Sequence, residues 1–155
     1  MKDRIRPPKE LESLLDKLKD DFGIFETKQK GLMFAAAIGY ALHREQVESA
    51  TIEAYGEGIR MQYFSSPQDD GFIDAIAVAS AGELNVLAPE KQPERIDLFE
   101  RCALLGLREM QKHCFDNRPE DPINGLLSLI DEVDSSSSKD LPGLDAVAEK
   151  LGDYL

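Results

Sequence analysis

The sequence has no tryptophan, only two cysteines and two histidines, and far fewer cations than anions. Each scarcity excludes something. His43, Cys102, His113 and Cys114 are the only soft metal ligands, and no C-x-x-C or H-x-x-x-H pair occurs among them. A structural zinc needs about four converging ligands. His113 and Cys114 are neighbours, and on one helix they point about 100° apart. They read as core cysteines and surface histidines, with no metal and no other cofactor. Cys102 and Cys114 lie on one predicted helix. Their spacing is about 18 Å at 1.5 Å per residue, too far for a disulfide. Reduced thiols and a cytoplasmic setting are the expectation. The opening MKDRIRPPKE is charged with no apolar run behind it, so no secretory leader is expected. No run reaches the roughly 20 apolar residues that span a bilayer, so no membrane partner is expected. Serine-histidine-aspartate patterns, nucleophile elbows and phosphate loops are also missing. Gly56 and Gly58 have no following glycine partner or helix to hold a phosphate. No catalytic residue is assigned.

The shortage of cations is uneven. The net charge is −12 over 155 residues. Residues 1–44 hold nine Lys/Arg against seven Asp/Glu, whereas residues 45–155 hold nine against twenty-three. Such a chain repels nucleic acid at long range. Any DNA contact therefore belongs to the first part, and the acidic remainder suits a basic partner.

What is present is centred on Phe25 to Leu42. From Gly31 to Leu42 no residue is charged. A helix without a polar face must be covered all round, so this one is the centre of a soluble core or the seam of a dimer. Thr27 is its expected N-cap. Its small residues, Gly31, Ala35, Ala36, Gly39 and Ala41, let another backbone approach. The first helix runs from about Pro8 to Asp21 with Leu11, Leu14, Leu15 and Leu18 on one stripe. Gly23 is its C-terminal cap.

Residues 3–7 read as a short strand with Arg4 and Arg6 on one face and Ile5 on the other. Strand, helix, helix is the order of the ribbon-helix-helix plan, in which two chains pair strands and the ribbon enters the major groove. On that plan Lys2, Arg4, Arg6 and Lys9 would contact DNA. Ile5, Phe34, Ile38 and Tyr40 would form the seam of a homodimer. The alternative is an edge strand with solvated arginines.

Residues 45–58 read as a linker, Ile59 to Phe64 as a short strand, Gly71 to Ala81 as a helix, and Leu84 to Leu87 as extended chain. Asp69, Asp70 and Asp74 cluster at a helix start. Capping explains them more simply than a metal-dependent active site does. Pro93 opens a long helix to about Cys114, with Ile96, Phe99, Ala103, Leu104 and Leu107 inside. Arg95, Asp97, Glu100 and Arg101 are placed outside. The organisation is a core domain at 1–116, made of the 1–44 unit and an acidic helical part at 45–116, then a helical tail at 117–155. The serine-rich 134–140 reads as a flexible hinge in that tail. Helices are expected over Ile123 to Val133 and Leu141 to Leu155. The fold class is mainly α with a few short strands.

The segments RIRPPKELESLLDKLKDDFGIFETKQKGLMFAAAIGYALHR, GEGIRMQYF, DDGFIDAIAVASAGELNVL and ERIDLFERCALLGL occur in that order. Together they resemble the Dnd system-associated protein 4 family, encoded beside bacterial DNA phosphorothioation genes. The resemblance covers about residues 3–115 and stops before Asn117. It implies anti-phage defence and an accessory subunit without catalytic residues. The implied partner is a larger protein of the same system, since the chemistry lies with neighbouring ATPases and nucleases. Two alternatives stand beside it: a ribbon-helix-helix regulator of transcription, and a metal-dependent enzyme with an acidic site at Asp69, Asp70 and Asp74.

Overall fold

The computed structural model describes residues 2–64, 67–117 and 120–140. Its elements are β1 (Arg4–Ile5), α1 (Glu12–Asp16), α2 (Lys28–His43), β2 (Ile59–Arg60), α3 (Pro67–Ala81), α4 (Gln92–Met110) and α5 (Pro122–Asp140). A 3-10 turn at Lys9–Leu11 precedes α1 and a π turn at Lys17–Asp21 follows it, so the first helix is continuous from Lys9 to Asp21. The fold is mainly α with one two-stranded antiparallel sheet, as expected.

Local chemistry starts α2 and stops the first helix where the sequence predicts, whereas α3 begins at Pro67, four residues before the expected Gly71. The Thr27 hydroxyl accepts from the Lys30 N–H at 3.2 Å and caps α2. Gly23 takes a positive φ of 60° after the first helix. The leucines of that helix, Leu11, Leu14, Leu15 and Leu18, all face the core. Two long helices then dominate, because α2 crosses α4 over the widest contact in the molecule. The crossing is glycine to backbone. A Cβ built at Gly39 would overlap the carbonyl oxygen of Cys102, and one built at Gly106 would overlap that of Ala35. Beside the crossing, Phe99 meets Phe64 and Phe72 edge-on, with ring centroids 6.3 and 6.4 Å apart.

Several local expectations are corrected. Only Ile59–Arg60 is strand; Met61–Phe64 turns into a 3-10 helix that carries Phe64 into the core. Leu84–Leu87 is a 3-10 turn rather than extended chain. The Arg95 guanidinium holds it by donating to the carbonyls of Val86 and Ala88. Residues 54–58 are no loose linker, since Ala54 and Gly56 bond back to Lys9 and Pro7. α5 runs through the serine stretch to Asp140, where composition suggests a hinge. That stretch holds neither glycine nor proline, and serine costs a helix only about half a kcal/mol against alanine. Leu126 and Leu129 of α5 join the same core as α2 and α4. The helix expected over 141–155 lies outside the described residues.

Candidate nucleic-acid interface

β1 pairs with β2 of the same chain, Arg4 opposite Arg60 and Ile5 opposite Ile59. Alternation puts the isoleucines inward and both arginines outward; Ile5 is wholly buried and Arg4 and Arg60 are exposed. The odd-numbered carbonyls of Asp3 and Pro7 accept from Met61 and Gly56 on this side. The even-numbered groups point the other way, and α4 meets them. The Lys2 N–H donates to Gln92 Oε1 at 3.0 Å, and Gln92 Nε2 donates back to the Lys2 carbonyl at 2.7 Å. The Arg6 N–H donates to Glu100 Oε2 at 2.6 Å. The backbone groups of Lys2 and Arg6 that flank β1 thus find partners on α4. β1 has its strand partner in its own chain, whereas the ribbon-helix-helix plan pairs strands of two chains.

Glu100 is the second correction. Placed on the outer face by its charge, it is in fact buried, with no exposed side-chain surface. Burial pushes its carboxyl above the usual range. The Arg6 N–H and the charges of Arg6 and Lys2 pull the other way, while Asp97 adds to the rise. Arg6 Nε lies 3.6 Å from Glu100 Oε2, and its guanidinium sits 3.7 Å from the centre of the Tyr55 ring. Burial and the nearby Glu100 raise the Tyr55 phenol as well. Arg6 is therefore committed to holding the ribbon on α4.

The four predicted DNA contacts consequently divide. Arg4 stays on the outer face, its Nη1 donating to the Gly58 carbonyl at 3.2 Å. Arg6 turns inward, Lys2 is tied by its main chain to Gln92, and Lys9 lines a separate hollow with Glu10 and Glu53. The fold brings Arg60, Lys28, Tyr63 and Glu57 beside Arg4 around an open groove of about 670 Å³. Lys28 is held by Asp16 at 3.0 Å and Glu12 at 3.9 Å. Partial burial works against its charge, but the Asp16 hydrogen bond and the charges of Asp16, Glu12 and Glu57 outweigh it and raise its pKa. The four seam residues divide too. Ile5 and Ile38 are buried within the single chain. Phe34 is half-buried against Phe25, at 5.5 Å between rings, and Tyr40 is half-buried.

The acidic and soft-ligand candidates find structural partners. Asp69 sits in the first turn of α3. It is buried two residues inside the helix and accepts from Gln29 Nε2 at 2.7 Å and Lys30 Nζ at 3.0 Å, tying α3 to α2. Asp74 pairs with Arg95 at 3.1 Å. The Asp70 side chain lies outside the described residues. His43 contacts Glu109 at 2.7 Å, and His113 contacts Glu132 at 3.0 Å, so both histidines are half-buried links rather than surface groups. Cys102 lies 3.4 Å from the Ser80 hydroxyl, and burial pushes the Cys114 thiol up to about 11. Among the described residues, no group of three His, Cys, Asp or Glu could hold a metal.

A family profile described as DNA sulphur modification system-associated protein 4 matches residues 4–145. The chain belongs to that family. The match runs past Asn117 and takes in α5, beyond where the resemblance read from the sequence ended. No curated protein and no solved structure gives a match. In this member of the associated protein 4 family, Arg60, Tyr63 and Glu100 are the residues that sequence reasoning missed. GEGIRMQYF carries the first two, but only the register with β1 tells that Arg60 faces Arg4.

No helix among the described residues is long and apolar enough to cross a membrane.

Proposed function

We propose that the chain is an accessory subunit of a DNA sulphur modification system. It performs no chemistry itself, docks on a larger protein of the system, and touches the DNA backbone through the β1–β2 ribbon. One observation carries the DNA contact. Arg4 and Arg60 stand directly opposite each other on an exposed face of a chain of net charge −12. Like charges directly opposite on paired strands are destabilising. An anion between them removes that cost, and a backbone phosphate is the anion such a system handles. The experiment is binding of the purified protein to labelled DNA with magnesium and ATP present. Arg4→Ala with Arg60→Ala is expected to weaken binding about tenfold or more, and the DNA is expected to stay intact. Metal-dependent cleavage by the pure protein contradicts the accessory role.

Docking is supported by α5. Ile123, Leu127 and Ile130 follow one another on one helical stripe and are 55, 53 and 38% exposed. Leu127→Asp is expected to abolish co-purification with the co-expressed large proteins of the system. The thermal midpoint should scarcely move, since exposed substitutions cost about 0.5 kcal/mol or less. Unchanged co-purification would place the docking surface elsewhere.

A further inference from the structure

We infer that the groove beside β1 and β2 takes single-stranded DNA, with one phosphate clamped between Arg4 and Arg60 and an unpaired base laid on Tyr63. This rests on the DNA contact proposed above and specifies the form of the DNA.

Three features lead there. The first is the pair of arginines. Directly opposite residues in an antiparallel pair have Cβ atoms about 5 Å apart, so both guanidinium groups reach one phosphate. Arg4 gives one hydrogen bond to the Gly58 carbonyl, and neither arginine forms an ion pair among the described residues. The ribbon below them is fixed to α4 by Gln92 and Glu100, so the clamp is set before ligand arrives.

The second feature is Tyr63. Tyr63 is 60% exposed and lines the same groove as Arg4 and Arg60. An aromatic platform beside a cationic track is how single-stranded nucleic acid is held without sequence preference, because every base has a π-face. A base inside a duplex is stacked on its neighbours and offers no free face to such a ring.

The third feature is the limited size of the cationic patch. Lys28 is neutralised by Asp16 and Glu12, and Glu57 also lines the groove. A rigid duplex carries one charge per roughly 1.7 Å of its axis, so its flanking phosphates would lie over these carboxylates. A single strand bends, and it can present one phosphate and one base while the rest turns away.

The test is fluorescence anisotropy with a short labelled oligothymidylate and a blunt duplex of the same length. The parent should bind the oligothymidylate more tightly. Tyr63→Ala should weaken that binding about tenfold, the loss of one stacked base. It should leave duplex binding unchanged, and Tyr63→Phe should bind as the parent does. If the duplex binds as tightly as the single strand, or if Tyr63→Ala leaves oligothymidylate binding intact, the inference fails. The DNA reading then survives provided Arg4→Ala with Arg60→Ala still loses binding. If the parent binds neither DNA, both fail.

Discussion

Gly106→Ala is expected to destabilise the protein by about 3 kcal/mol, the upper part of the range for overpacking. For a domain of this size that lowers the thermal midpoint by about 6 to 12 °C. A methyl group at position 106 would overlap the carbonyl of Ala35. The obstacle is backbone, which cannot rotate aside as a flexible side chain does. Gly39 meets the Cys102 carbonyl in the same way from the opposite helix, so the crossing is close at both positions. Helix propensity alone predicts the reverse sign, since alanine exceeds glycine by about 1 kcal/mol in a helix. Gly71 in α3 isolates that effect, because a Cβ there meets nothing within 4 Å. Gly71→Ala should therefore raise stability by up to about 1 kcal/mol. Urea denaturation of both variants decides the matter. Equal gains in stability would contradict the close crossing of α2 and α4.

Arg6→Ala should cost about 2 kcal/mol at neutral pH and less in mild acid. Removing one partner of a buried pair leaves an uncompensated charge and costs roughly 3 to 5 kcal/mol. The figure is reduced here because the Arg6 side chain is 36% exposed and 3.6 Å from the Glu100 carboxylate. The direction with pH follows from burial. Glu100 has its carboxyl raised in the folded chain above the ordinary 4.5. Between the two values the folded state binds the proton that the unfolded state has released, so stability falls as pH rises through this window. Without Arg6 the buried carboxylate is worse compensated. The deficit of the variant is therefore largest where Glu100 is ionised, and it shrinks as Glu100 takes up its proton. Glu100→Gln keeps an oxygen to accept from the Arg6 N–H and should lose this part of the pH slope. A deficit in Arg6→Ala that stays constant across the pH series would show that Glu100 is not its cause.

The parts legible in sequence are those that local chemistry sets. The uncharged run after Lys30 announces a covered helix, Thr27 announces its start, and the leucine spacing of the first helix names its inner face. The parts that were not legible depend on residues far apart. Glu100 reads as a surface residue until a strand more than ninety residues earlier lies across it and donates a backbone N–H. Arg60 reads as an isolated charge until the register places it opposite Arg4. Asp69 reads only as a helix-start residue until Gln29 and Lys30 approach it from α2. Ser135 to Ser138 read as a hinge because composition reports weak preference, whereas an absence of breakers lets α5 continue. The candidate site suffered most, since two strands distant in the chain build its groove and only one of its arginines was foreseen.

The most direct test is the salt dependence of DNA binding by anisotropy, comparing the parent with Arg4→Ala plus Arg60→Ala. Loss of one phosphate contact reduces the slope of log affinity against log salt by about 1. The account predicts a parent whose affinity falls with salt and a double variant that binds more weakly with a slope shallower by about that amount. A double variant with the parent's affinity and slope would contradict the assignment of the β1–β2 ribbon as the DNA contact.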